Sequence, residues 1–182
     1  YVTRLALQKG EAINAENLVL SADTIVVCEG EVLGKPTNDH EAREMLRRMR
    51  GKSHSVLTAL ALRQKSTGLL LQDVCHTQVL MRSYSDAEIE SYIQSGDYRD
   101  KAGGYAIQHK AFHPVAAVQG CYANVMGLPL CNLTCLLQHA GIAVEVDIPQ
   151  ACQQHLGITC EVYPQILASC MPVSQASRWD SR

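Results

Sequence analysis

Leu18-Val-Leu-Ser-Ala-Asp-Thr-Ile-Val-Val-Cys28, followed by the turn Glu29-Gly30 and the return Val32-Leu33, is the stretch on which the fold turns. Its density of Val, Leu and Ile ahead of a Glu-Gly pair predicts a strand entering a hairpin. Asp23 then lies within or at the end of a buried strand, and a carboxylate in that position needs a partner. Two readings stand: a strand-end cap for the next turn, or a group that does chemistry. Lys35, fixed between Gly34 and Pro36, is a cation that the hairpin could fold back toward Asp23.

Working outward, residues 1–10 read as the end of an amphipathic helix, with Val2, Leu5, Ala6 and Lys9 in its pattern and Gly10 as its stop. Pro36-Thr-Asn opens a second helix. It turns Ala42, Met45, Leu46 and Met49 inward and Arg43, Arg47 and Arg50 outward, and Gly51 ends it. Ser53 to Leu62 and Leu69 to Met81 read as strands joined by the polar run Gln64-Lys-Ser-Thr-Gly68. Ser85-Asp-Ala-Glu88 is a capping box for a helix that buries Ile89, Tyr92 and Ile93 and stops at Gly96. Leu128-Pro129 starts another helix, with Leu130, Leu133, Leu136, Leu137 and Ala140 inward, and Ile142 to Val146 is expected to form a last strand. The alternation implies an α/β fold. Residues 1–147 form one domain in this reading, and 148–182, rich in Gln, Ser, Pro and Cys without periodicity, form an irregular tail.

A chain of 182 residues supports one core, burying roughly 70% of its unfolded surface. The formal charge of −2 gives no bulk attraction to nucleic acid, so an anion site must come from local lysines and arginines. Trp179 stands alone near the end and makes no stacking platform. No apolar run approaches the roughly 20 residues that span a bilayer, and the start lacks the order of a secretory signal. A cytoplasmic protein without membrane or nucleic-acid partners is therefore expected. The chain opens at Tyr1 already in helical pattern, so further residues are expected ahead of it. Eight scattered cysteines with no Cys-x-x-Cys pair point to free thiols in a reducing compartment. Cys131, Cys135 and His139 recur every four residues and share a helix face, which suits either a packed thiol surface or a zinc site.

A second segment, Asp100-Lys-Ala-Gly-Gly-Tyr-Ala-Ile-Gln108, again sets a carboxylate beside a lysine, here ahead of two glycines that would let backbone N–H groups approach a phosphate. Taken alone it also fits a solvated turn. Together the two segments offer carboxylates for a divalent ion or a water, and ammonium groups for phosphate oxygens.

Five ordered blocks carry a resemblance: Ser21-Ala-Asp-Thr24; Gly34-Lys-Pro36; Gly51-Lys-Ser-His-Ser-Val-Leu-Thr58; Asp100 to Gln108; and Gly120-Cys-Tyr-Ala-Asn-Val-Met-Gly-Leu-Pro-Leu130. From Tyr1 to about Val146 the chain resembles the Maf family of nucleoside triphosphate pyrophosphatases. The resemblance implies a mixed, twisted sheet with flanking helices around a central cleft, as in the inosine triphosphate pyrophosphatases. It implies hydrolysis of a nucleoside triphosphate to the monophosphate and pyrophosphate with a divalent cation, Mg or Mn. In that family pattern Asp23 corresponds to the proton acceptor, Thr24 and Gln108 to the substrate-discriminating pair of the dTTP and UTP branch, and Lys9, Lys35 and Lys101 to basic substrate-binding positions. Asp23 and Asp100 are the expected metal carboxylates, and a homodimer is the expected assembly. The family's Ser-x-Ser-Pro-Arg-Arg segment does not occur in residues 1–182, His76-Thr-Gln78 stands where Glu-Thr is usual, and His109 follows Gln108 where Gly is usual. A catalytically silent, nucleotide-binding regulator of division and a structural domain of a larger fusion are the competing functions.

Overall fold

A computed structural model describes residues 1–170. Its elements are α1 (Val2–Glu11), β1 (Val19–Cys28), β2 (Glu31–Leu33), α2 (Asp39–Met49), β3 (Ser53–Gln64), β4 (Leu69–Met81), α3 (Asp86–Ser95), β5 (Val115–Gln119), α4 (Tyr122–Val125), α5 (Leu130–His139), α6 (Ile148–Leu156) and α7 (Tyr163–Ala168). The strands form one sheet in the order β2-β1-β3-β4-β5. The α/β class is as expected, but every ladder among the described residues is antiparallel, not mixed. Short turns dictate this at two places, since the β1–β2 and β3–β4 connections are too brief for a crossover.

β3 is the axis of the molecule. Its side chains alternate between two covered faces: Ala59 and Ala61 pack under Val2 and Ala6 of α1, while Leu60 and Leu62 pack against Leu136 of α5. Farther along, Val56 joins the largest core cluster, which also takes the apolar faces of α2 and α3. All four expected α2 residues, Ala42, Met45, Leu46 and Met49, are buried. Its arginines reach out to acids, Arg43 to Glu90 and both Arg47 and Arg50 to Asp86. The capping box of α3 forms as read, with Ser85 accepting from the Glu88 N–H and Glu88 accepting from the Ser85 N–H.

Four expectations are corrected. Ile142–Val146 is not a strand, because the sheet ends at β5 and offers it no partner. Residues 148–170 are not irregular: α6 and α7 form there, α6 with Asp147 capping the Gln150 N–H at 3.0 Å, Pro149 in its first turn and Gly157 in the left-handed cap. End signals, not an apolar stripe, mark α6, and Cys152, Leu156 and Val162 lean on Cys121 and Ala123. Trp179 and residues 171–182 lie outside the described residues. The thiols are not all free, since Cys135 and Cys170 form a disulfide. This removes Cys135 from any zinc site, and no group of three His, Cys, Asp or Glu side chains among the described residues could hold a metal. α5 buries Cys131 and Cys135 as deeply as Leu136.

Gly10 is the fourth correction. It does not end α1, which runs on to Glu11. Instead its missing side chain lets the helix settle onto β1: a Cβ there would lie 2.7 Å from Ser21 Oγ, which donates to Ala6 O at 2.7 Å. Arg63 also reaches the Gly10 carbonyl, at 3.0 Å. Gly10→Ala gains about 1 kcal/mol of helix propensity but should still destabilise the protein by ~1–2 kcal/mol through overpacking. Adding Ser21→Ala removes the clash, so chemical denaturation should find the double variant more stable than Gly10→Ala alone.

Candidate active site

β2 pairs with β1 only at Val26–Cys28. Toward Ser21 that side of β1 has no ladder partner among the described residues, and a cleft of about 570 Å³ opens along it. A strand sends successive side chains to opposite faces, so only a cleft at a strand's edge can collect both Asp23 and Thr24. Lys9, Asp23, Thr24, Lys35, Asp100, Lys101 and Gln108 all line this cleft. Every site residue named from the sequence is thus brought to one place.

β1 itself carries Asp23 and Thr24, and three further elements deliver the others. α1, seated closely through Gly10, carries Lys9 into an ion pair with Asp23. The carboxylate is largely covered, its side chain 12% exposed, while the lysine is 60% exposed. The pair answers the partner requirement of a strand-borne carboxylate, and its lysine sits on a flexible stem at the rim. The Gly34–Pro36 turn carries Lys35 and the segment 100–108 carries the rest. These two loops are tied directly by a hydrogen bond from Gly103 N–H to Gly34 O at 2.9 Å. Gly103 has φ +72 and a Cβ there would sit 3.2 Å from both methyls of Val26, so the loop presses on β1 as only glycine allows.

That tie corrects the expected use of the glycines. The Gly103 N–H is taken by Gly34 O and the Gly104 N–H by Lys101 O at 2.9 Å. Neither is free for a phosphate, and the glycines instead bring the loops together. An anion entering the cleft would therefore meet the lysines. Lys101 is half-buried and held 3.5 Å from Asp97, whereas Lys35 makes no ion pair among the described residues. Three lysines face two aspartates around the cleft, a balance that favours an anion accompanied by a cation.

Behind and beside Thr24 lie residues that motif spacing did not single out. Thr24 Oγ1 lies 2.8 Å from Thr58 Oγ1, which donates to Asn124 O at 3.0 Å. Val125, Met126 and Gly127 line the cleft. The only hint in the sequence is that Thr58 and Asn124 fall inside two of the five blocks. Tyr105, also lining the cleft, pairs with His54 Nε2 at 2.8 Å, and both are buried. Burial pushes the His54 imidazole down to about 4. The two departures at histidine have local roles: His76 bonds Ser55 across the sheet at 3.0 Å, and His109 Nδ1 accepts from the Phe112 N–H at 3.0 Å.

The cleft offers amines and carboxylates that can grip a charged ligand, and Thr24 and Gln108 as groups that can hydrogen-bond a polar one. In comparison with known proteins, residues 1–140 match the family described as Maf-like protein. A dTTP/UTP pyrophosphatase of Anaeromyxobacter dehalogenans is 44% identical over 151 residues, which cover 82% of this chain and 77% of that protein. One of Thermomicrobium roseum is 47% identical over 140 residues, covering 75% and 63%, and one of Dictyoglomus thermophilum 42% over 127 residues, covering 70% and 66%. The chain thus spans about two thirds of the length of the latter two. No helix of the described residues is long and apolar enough to cross a membrane.

His54 makes a pH prediction. Its unfolded imidazole titrates near 6.5 and the folded one near 4. Above pH 6.5 both states are neutral and stability is unaffected. Between 6.5 and 4 only the unfolded chain takes the proton, so stability falls with pH by up to about 1.4 kcal/mol per unit. Urea unfolding of the parent and of His54→Gln across that range should give curves that converge as pH falls. A constant gap between them would show that His54 titrates alike in both states.

Proposed function

This chain belongs to the Maf family, and from that membership and the cleft we propose that it hydrolyses dTTP and UTP to the monophosphate and pyrophosphate. The observation that supports this most is the convergence of Asp23, Lys9, Lys35, Lys101, Asp100, Thr24 and Gln108 on one cleft. The curated relatives named for dTTP and UTP point the same way.

Asp23 acts as general base, taking a proton from the water that attacks the α-phosphorus. In the resting cleft Lys9 occupies it. A triphosphate competes for that amine, and moving Lys9 to a phosphate oxygen both binds substrate and frees the carboxylate. Lys35 and Lys101 stabilise the charge that collects on the leaving pyrophosphate. Thr24 and Gln108 bond the edge of the pyrimidine, where a mismatched base would leave buried polar groups unpaired.

The donor set fits a Mg or Mn ion. Asp23 and Asp100 supply oxygen ligands on the same cleft, and such ions are commonly held by one or two carboxylates with substrate phosphates and water completing the shell. No third protein carboxylate, histidine or cysteine joins them among the described residues, so the nucleotide itself would bring the remaining ligands. The ion would neutralise charge on the triphosphate.

Asp23→Asn keeps the size of the side chain and removes the base. Pyrophosphate release from dTTP should fall by about 10²–10⁴-fold, while dTTP affinity measured by calorimetry stays within a few-fold or rises as Lys9 is released. Turnover near the parent rate in this variant would remove Asp23 from the mechanism. A preference for purine triphosphates over dTTP and UTP would overturn the substrate assignment.

A further inference from the structure

The hydroxyl hydrogens beside the cleft can be assigned, because their chain of bonds ends on carbonyls that only accept. Thr58 is fully buried and lies directly across the β1–β3 ladder from Thr24. Its single hydroxyl hydrogen goes to Asn124 O at 3.0 Å. In the 2.8 Å contact between the two hydroxyls, Thr24 is therefore the donor. The support behind is equally determined. Thr77 Oγ1 donates to Cys121 O at 3.0 Å and accepts from Asn124 Nδ2 at 2.9 Å, whose other amide hydrogen goes to Val56 O at 3.0 Å. Thr77 and Asn124 are also fully buried, so water does not compete for these bonds.

With its hydrogen held inward, Thr24 Oγ1 has only lone pairs left to offer the cleft. It sits beside Gly127, where an added Cβ would come within 3.4 Å of that oxygen.

We propose that Thr58 is a specificity-determining positioning residue that locks Thr24 as an acceptor, so that the cleft selects a pyrimidine with an imide N–H over one with an acceptor at that ring position. Uracil and thymine carry that N–H at N3, and cytosine carries a lone pair there. Against cytosine the locked Thr24 would set lone pair against lone pair with no hydrogen able to turn outward. The inference rests on the reading of the cleft as a dTTP and UTP site and adds the atom that makes the choice.

The test compares dTMP and dCMP binding by calorimetry in the parent, Thr58→Val and Thr58→Ser, with the melting temperature of each. The parent should prefer dTMP by about tenfold or more. In Thr58→Val the Thr24 hydrogen can rotate into the cleft and donate to cytosine N3, so the ratio should fall to within about threefold, while Thr58→Ser keeps the hydroxyl and the parental ratio. A loss of fold shows in the melting temperature and lowers both affinities together, so the ratio is read in variants that melt near the parent, which separates positioning from mere structural support. Should Thr58→Val not fold, Thr58→Ala, which only removes atoms, gives the same comparison. A parental ratio retained in Thr58→Val or Thr58→Ala, or lost equally in Thr58→Ser, overturns the role of Thr58 and leaves the proposed function standing. Binding of neither nucleotide by the parent, or of both alike, overturns the substrate assignment and this inference with it.

Discussion

The register of β1 on β3 is the constraint on which the rest depends. Nine consecutive pairs, from Val19 opposite Arg63 to Val27 opposite Ser55, fix Asp23 across from Ala59 and Thr24 across from Thr58. A slip of one residue would exchange every side chain between the two faces of the sheet. Asp23 would then face α5 in place of α1 and lose Lys9, and Thr24 would lose its buried partner. The register is strongly specified because both faces of β3 are covered, small residues under α1 and large ones under α5. Exchanging them would set Leu60 and Leu62 where the helix leaves room only for alanine.

The smallness of that first face is what turns packing into a site. Ala6, Gly10, Ala59 and Ala61 let α1 lie close to the sheet, and a helix that lies close brings its last-turn lysine over the strand edge. Gly103 does the same for the opposite wall, where pressing against Val26 brings its own N–H within reach of Gly34 O. In both places the absence of a side chain sets the distance between charged groups that have no direct bond to the glycine. The charges at the cleft are therefore positioned by apolar contacts elsewhere.

The sequence was legible where one physical signal dominates. The apolar face of α2, the capping box of α3 and the long strands β3 and β4 each rest on a periodicity or a cap, and each forms as read. Of the residues that line the cleft, Asp23, Lys35, Asp100 and Lys101 were legible as charges placed beside apolar runs and glycines, where solvation alone does not account for them, whereas Lys9, Thr24 and Gln108 came only from the family resemblance. Their convergence was expected from the hairpin and the two paired segments, but its physical basis, β2 ending early and leaving an edge of β1 for a cleft, was not legible. Gly10 was misread because a glycine at a helix end and a glycine at a helix contact look alike in sequence. α6 and α7 were missed because they bury no apolar stripe of their own, α6 being marked by its caps and its contact with a cysteine-bearing surface.

Thr58, Thr77 and Asn124 show why polar groups persist in an interior that could have been filled with valine and leucine. An apolar replacement would remove three buried groups and their desolvation cost, so stability alone does not favour them. A network whose hydrogens end on main-chain carbonyls gives something else: each hydrogen has one direction, and that direction is passed from α4 through β3 to the cleft without a moving part. The carbonyls of Asn124 and Cys121 are held by the turn into α4 and by the helix itself, and they cannot exchange donor for acceptor. Charge in the cleft can draw in any polyphosphate. On the proposed reading of the cleft, choice among bases would rest on an oxygen whose hydrogen is already committed, and the buried threonine opposite Thr24 commits it.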